Sequence, residues 1–382
     1  MQTGIKFFAL CIAAALTTAA LRADAQVAAP PLRTQGNLLV DSTGKAIRLT
    51  SVNWYGFDQK EYVAGGLDRA PLATIVEQIR RIGVNSVRLP WANETLEHNP
   101  VVADYAVAAN PQFKGKRAMQ VMDAVIAALG KARIMVILDN HMSRADWCCS
   151  ETDDNGLWYN AEYPETSWLR DWQTIVRRYK HEPWVVGADL RNELRSGATW
   201  GGADAKHDWH AAAERGGNAV LAANAKLLVM VEGPQYSTNF AGVDTLPVRL
   251  KVAGRLVYSP HAYAPEKPFS SYEEMEQAYA ARVGMLMTMK DAAPIWVGEF
   301  GTCQKLDCGA NSEWYGMFVR YLKAHPAVGW SYWPLNGTQS SGVTRTYNTL
   351  EDYGLLTMDY RGIAAPGIVE SMKEIGATPE PR

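Results

Sequence analysis

Eight short apolar runs alternate with segments of helical spacing, and that alternation limits the fold more than any other feature of the chain. The strand-like runs fall at 47–54, 84–89, 134–139, 185–191, 227–232, 256–260, 295–300 and 328–333. Between them lie Leu72-Ile75-Val76-Ile79, Val121-Val125-Ile126-Leu129, Trp168-Trp172-Ile175-Val176-Tyr179 and Trp209-Ala213-Val220-Leu221, each with apolar residues on one helical face. Strands alternating with helices imply an α/β protein with a parallel sheet, and eight is the strand count of a closed (β/α)8 TIM barrel. A doubly wound open sheet is the alternative. It usually carries a Gly-rich phosphate turn after its first strand, and Asn53-Trp54-Tyr55-Gly56 is not one. Residues 35–48 contain Asp41-Ser-Thr-Gly44 between two short apolar runs, which reads as a small N-terminal hairpin closing the barrel bottom.

The first residues suggest export. Lys6 is followed by an apolar run at 7–21 and then by Ala23-Asp24-Ala25, the pattern of a signal peptide cleaved after residue 25. Residues 26–382 then form one catalytic-size domain, since no repeat or Pro/Ser-rich linker divides them and the tail after Ala377 is too short to lead into another module. The expected location is secreted, extracellular or periplasmic, with no membrane association after cleavage and a monomeric state. The formal net charge of −2, with both signs mixed along the chain, gives no reason to expect nucleic acid as a partner. Trp and Tyr, at 13 and 17, outnumber the 8 Phe. Aromatic rings with a polar edge suit sugars, although buried rings with satisfied polar tips account for the same excess.

Beyond the leader's Cys11, four cysteines remain: Cys148, Cys149, Cys303 and Cys308. An even number in an exported chain reads as disulfides, with three connectivities open. A zinc site is the rival, but adjacent cysteines lack the usual spacer. The short 303–308 loop favours a Cys303–Cys308 bridge, which leaves Cys148–Cys149 as a vicinal pair.

Two strand-like runs, Asp189-Leu-Arg-Asn-Glu193 and Trp296-Val-Gly-Glu-Phe300, each carry a glutamate at or near their end. A carboxylate there is costly unless it is paired or used. Two of them suit glycosidic hydrolysis, in which one carboxyl protonates the leaving oxygen and the other attacks the anomeric carbon or activates water. Ion pairing at strand ends is the plainer account of either one alone. Active sites of such barrels lie at the carboxyl ends of the strands. The polar groups gathered there are Asn53 and Trp54, Arg88, His141, Asn192 and Glu193, Glu232, His261 and Tyr263, Glu299, and Trp333.

With these residues in place the chain resembles glycoside hydrolase family 5, a cellulase-type retaining barrel family of the Asn-Glu/Glu clan. The matching pieces, in family order, are Val52-Asn-Trp-Tyr-Gly-Phe57, Asn85-Ser-Val-Arg-Leu-Pro90, Leu138-Asp-Asn-His141, Gly187-Ala-Asp-Leu-Arg-Asn-Glu193, Val231-Glu-Gly233, Val257-Tyr-Ser-Pro-His-Ala-Tyr263, Trp296-Val-Gly-Glu-Phe-Gly301 and Gly329-Trp-Ser-Tyr-Trp333. The resemblance implies Glu193 as acid/base, Glu299 as nucleophile and Asn192 as a donor to the sugar 2-hydroxyl. It further implies Arg88 and Tyr263 as holders of the nucleophile, His141 and His261 as linings of the subsite at the cleaved bond, and Trp333 as its floor. Trp54 is added as a substrate contact. Arg88 should favour the ionised form of Glu299, and Glu193 should sit near apolar surface away from cations. No cofactor or metal is expected, and the partner is a polysaccharide or oligosaccharide.

The chain departs from the family pattern in three places. Leu194 follows Glu193 where relatives usually have proline, His261-Ala-Tyr263 replaces His-Asp-Tyr, and Trp147-Cys-Cys149 and the 303–308 loop are not general family features. Trp147, Trp158 and Trp200 fall in loops, where sugar stacking and loop packing are equally open. His207 and His210 stand three apart but lack a third ligand, so surface or capping roles fit them better than zinc. The leading reading is a secreted retaining endo-β-glycosidase acting on β-linked glucans. The rivals are the same mechanism on mannan, xyloglucan, β-1,3-glucan or a glycolipid, a non-catalytic glycan-binding barrel, and a metal-dependent hydrolase.

Overall fold

Parallel strands close into a ring in the computed structural model, which describes residues 28–289 and 292–377. The leader expected at 1–25 lies outside the described residues. Three short antiparallel strands come first: β1 (Arg33–Gln35), β2 (Leu38–Val40) and β3 (Ala46–Ile47). Then follow β4 (Thr50–Asn53), β5 (Ser86–Ala92), β6 (Met135–Met142), β7 (Val185–Asp189), β8 (Leu228–Val231), β9 (Leu256–Tyr258), β10 (His261–Ala262), β11 (Trp296–Phe300) and β12 (Gly329–Tyr332). Only Ser259 and Pro260 separate β9 from β10, and the two are pieces of one extended segment. β9 pairs with β8 and β10 with β11, so the order β10-β11-β12-β4-β5-β6-β7-β8-β9 returns to its start. Taking β9 and β10 together, the fold is the expected (β/α)8 barrel.

Side chains alternate across the ring with the two-residue period of a strand. Met135 and Ile137, Leu228 and Met230, Val257 and Trp296 share an inner cluster with Leu32, Leu39 and Leu49 of the N-terminal segment. Val136, Leu138, Val229, Val231 and Val297 join the outer layer under the helices. The N-terminal strands thus close the barrel bottom, as expected, but as a three-stranded sheet rather than a hairpin. Asp41 turns the chain into the third strand, its Oδ1 accepting from the backbone N–H of Thr43 (2.9 Å) and Lys45 (3.1 Å).

The helices expected from apolar spacing run Leu72–Ile82, Ala118–Lys131, Glu165–Arg178 and Trp209–Ala223, each with its apolar face buried. The first ends where Gly83 turns left-handed, at φ 88°, and returns its N–H to the Ile79 carbonyl. Three indoles tie the helices to the strand ends that carry the site. Trp168 and Trp172 each donate to the Leu190 carbonyl at 3.1 Å, and Trp209 donates to the Glu232 carbonyl at 2.7 Å. Backbone acceptors just beyond the hydrogen-bonded ladder are satisfied from behind, which fixes the chain leading to Glu193.

Candidate active site

Continuing the inward period upward from the inner cluster places Arg88, Asp139, His141 and Glu232 inside the ring. Asp189 joins them after the β6–β7 register shift that follows Val185, and Glu299 needs a similar device. Val297 and Phe300 both face outward, and the β11–β12 register shifts between them. That irregularity turns Glu299 inward, the usual work of a bulge beside a functional site.

Arg88 is the hub and is fully buried. Its Nε donates to Asp189 Oδ2 (2.9 Å), Nη1 to Asn53 Oδ1 (3.1 Å) and Glu299 Oε1 (2.7 Å), and Nη2 to Asn192 Oδ1 (2.9 Å) and Glu232 Oε1 (3.0 Å). Asp139 Oδ1 lies 3.1 Å from Nη2. One guanidinium therefore faces four carboxyl groups, a load suited to its planar fork. Asp139, Asp189 and Glu232 bring oxygens close enough together to suggest a cation site, and Arg88 is the cation they share.

Glu193 and Glu299 meet above this hub. An oxygen of each and a ring nitrogen of His261 all lie within 4.8 Å of one another. Glu299 Oε2 accepts from the Tyr263 hydroxyl at 2.9 Å. Burial pushes the Glu299 carboxyl upward, against the pull of the His261 and Arg88 charges. Arg88 pulls the Glu299 pKa down, the direction expected of it, but desolvation outweighs that pull. Glu193 sits at φ 43°, a left-handed backbone that is strained for a non-glycine residue. Its N–H donates to Glu232 Oε2 at 2.7 Å, which anchors the turn. Leu194, in place of the usual proline, is fully buried.

The expectation that Glu193 stands clear of cations is not met, since His261 Nδ1 is 3.0 Å from Glu193 Oε1. Burial alone would lower the imidazole pKa. The charges of Glu232 and Glu299 and hydrogen bonds to Glu193 and Glu232 override it, holding the ring well above its usual range. His261 therefore belongs to three carboxyl groups at once: Nε2 lies 3.3 Å from Glu232 and Nδ1 lies 3.8 Å from Glu299.

A cavity of about 460 Å³ opens over these groups. Glu193, Glu299, Asn192, Tyr263, His141 and Trp333 line it, as do Trp147, Cys148 and Cys149 and a far wall of Gln339, Arg345, Glu351, Asp352 and Tyr353. His141 stacks on Trp333 at 5.4 Å and is held by Asp139 Oδ2 at 2.7 Å. Arg345 lies 3.5 Å over the Trp147 ring and pairs with Glu351 at 2.9 Å, so the far wall is braced against Trp147. Cys148 is joined to Cys149 and Cys303 to Cys308.

Three residues expected at the substrate do not reach this wall. Trp54 is fully buried among the outer layer and donates to the Gly65 carbonyl at 2.9 Å. The two-residue period explains it: Val52 and Trp54 face out, and Asn53 between them faces Arg88. Arg88 and His261 stand behind the carboxylates. Trp158 and Trp200 pack in loops, with indole N–H groups on Glu165 and the Leu246 carbonyl. His207 pairs with Asp204 and His210 approaches the Pro247 carbonyl, so the two do not share a ligand site. The buried acids Asp139 and Asp189 were overlooked as partners of Arg88. Their inward strand positions opposite a single inward cation were the available signal.

A closed (β/α)8 barrel with two adjacent carboxyl groups at the carboxyl ends of its strands defines a glycoside hydrolase. Residues 40–339 match the cellulase family, glycosyl hydrolase family 5, and the chain belongs to that family. It is 34% identical over 334 residues to an endoglucanase of Paenibacillus polymyxa, covering 82% of each chain. It is 32% identical over 328 residues to the major extracellular endoglucanase of Xanthomonas campestris, covering 80% of this chain and 66% of that one. The catalytic domain of the Xanthomonas enzyme superposes with a TM-score of 0.79 at 28% identity, over 91% of this chain and 100% of that domain. The endocellulase of Pyrococcus horikoshii in complex with cellotetraose superposes at 0.76 with 25% identity, over 90% and 98%.

Proposed function

We propose that the protein is a secreted, retaining endo-β-1,4-glucanase with Glu299 as nucleophile and Glu193 as acid/base. The observation that carries this reading is the short gap between the two glutamates, with only Glu299 gripped by Arg88 and Tyr263. An inverting pair needs roughly 6.5–9.5 Å to admit water between carboxyl and sugar, whereas a retaining pair stands about 5–5.5 Å apart. Arg88 and Tyr263 each hold one oxygen of Glu299, which fixes the carboxylate plane for attack. Glu193 protonates the departing oxygen and later takes a proton from water. As attack converts Glu299 to a neutral ester, Glu193 becomes anionic. His261 lies within reach of both, so its positive charge keeps a partner through the exchange.

Endoglucanase relatives and the aromatic walls of Trp147, Trp333 and Tyr353 support a β-1,4-glucan as substrate. The leader pattern at 1–25, the two disulfides and an extracellular relative support export, and residues 26–382 are proposed to act as a single, monomeric catalytic domain. Among the described residues no helix is long and apolar enough to cross a membrane.

Proton NMR of fresh digests of cellooligosaccharides is expected to show the β-anomer first, with no loss of rate in EDTA. An α-anomer as first product, or inactivity in the chelator, overturns the mechanism. Tyr263→Phe tests the grip on the nucleophile. The phenol's own pKa is pushed well above its usual range by burial and by the Glu299 charge, so it stays a neutral donor. A hydrogen bond to the charged carboxylate favours that form, and its loss raises the Glu299 pKa further. The acid limb of kcat/KM should move to higher pH in the variant, and an unmoved limb removes Tyr263 from this role.

A further inference from the structure

Two sulfur atoms cover the side of the cavity that holds Asn192. Cys148 and Cys149 follow β6 and line the cavity beside Asn192 and Glu193. Asn192 Oδ1 accepts from Arg88 Nη2 at 2.9 Å. A guanidinium has donors only, so this contact fixes which end of the amide points where. Nδ2 must then face Cys148 Sγ at 3.6 Å and Cys149 Sγ at 3.9 Å. Sulfur is a weak acceptor, which leaves the Nδ2 protons ready for a better one. A bond between the sulfurs keeps both on the same side of Asn192, whereas two separate thiols would each rotate among staggered positions.

We propose that the Cys148–Cys149 disulfide is a positioning element for Asn192. It lays a weakly accepting surface over Nδ2, so that the amide is oriented but not consumed, and the 2-hydroxyl of the sugar being cleaved becomes its acceptor. This rests on the glycosidase reading above. Ala at both positions would open the surface to water, a strong competitor for the same protons. Opening the pair with a dithiol breaks the S–S bond, leaves two thiols and oxidises the dithiol to its cyclic disulfide.

The test compares 4-nitrophenyl β-cellobioside with its analogue lacking the 2-hydroxyl on the ring bonded to nitrophenol. The double variant C148A/C149A should lose about tenfold in kcat/KM on the parent, the worth of one hydrogen bond, and under about twofold on the analogue. The variant C303S/C308S, which removes the bridge outside the cavity, should match the wild type on both. Equal losses on the two substrates, or no loss on either, overturn the proposal. If C148A/C149A fails to show a cooperative melt, the same comparison is made on C303S/C308S with and without dithiothreitol, and the same outcomes decide. Failure of the untreated wild type to release nitrophenol from the parent would instead strike the glycosidase reading.

Discussion

Glu299→Gln should lower kcat/KM on every β-glucan and aryl glycoside by at least about 10⁴-fold, some 5.4 kcal/mol of barrier. The amide keeps the shape of the side chain but cannot attack the anomeric carbon, and Arg88 loses its anionic partner at 2.7 Å. Glu193→Ala should behave differently. An aryl glycoside with an acidic phenol needs little protonation to leave, so this variant still forms the glycosyl-enzyme and then stalls without a general base. Azide needs no such base and should restart turnover as the β-glycosyl azide. On Glu299→Ala the azide would occupy the nucleophile's own place and give the α-azide. Opposite products would exchange the two roles. Full activity in both variants would end the active-site reading.

The barrel was legible because its signals are local: apolar runs at strand spacing, and helices whose apolar positions repeat every third or fourth residue. Glu193, Glu299, Asn192, His141, Tyr263 and Trp333 were legible as strand-end polar groups, and the cavity gathers them. Trp54 was misplaced because adjacency to Asn53 says nothing about face; one residue along a strand crosses the barrel wall. His261 stands behind the carboxylates because it keeps the inward parity of Val257 and Ser259 and is drawn among three carboxyl groups, which motif spacing does not record. The bracing of Trp147 by Arg345 joins positions almost two hundred residues apart. The demand on Arg88 was hidden for a related reason, since four acids on or just past four different strands converge on it only when the ring closes.

Arg88→Leu should be the most destabilising substitution in the site, by about 3–5 kcal/mol, the range for removing one partner of a buried ion pair. Leucine fills part of the space but supplies no charge, so Asp139, Asp189, Glu232 and Glu299 face one another with His141, His261 and the buried Arg191 left to balance them. The effect should depend on pH in a definite direction. In the wild type, Asp139 is buried, which alone would raise its pKa, but Arg88 and His141 hold it below its ordinary value. Its contribution is therefore present above the unfolded carboxylate pKa of about 3.9 and fades as pH falls through the lower folded value. Without Arg88 the buried carboxyls, Asp139 and Glu299 among them, shift upward. The folded variant then binds more protons than its unfolded chain, and its stability rises as pH falls. Urea unfolding should show the widest gap between wild type and variant near pH 7, narrowing toward about pH 4. A gap of constant width would mean that Arg88 matters through packing alone, and that the carboxyl cluster is held by other means.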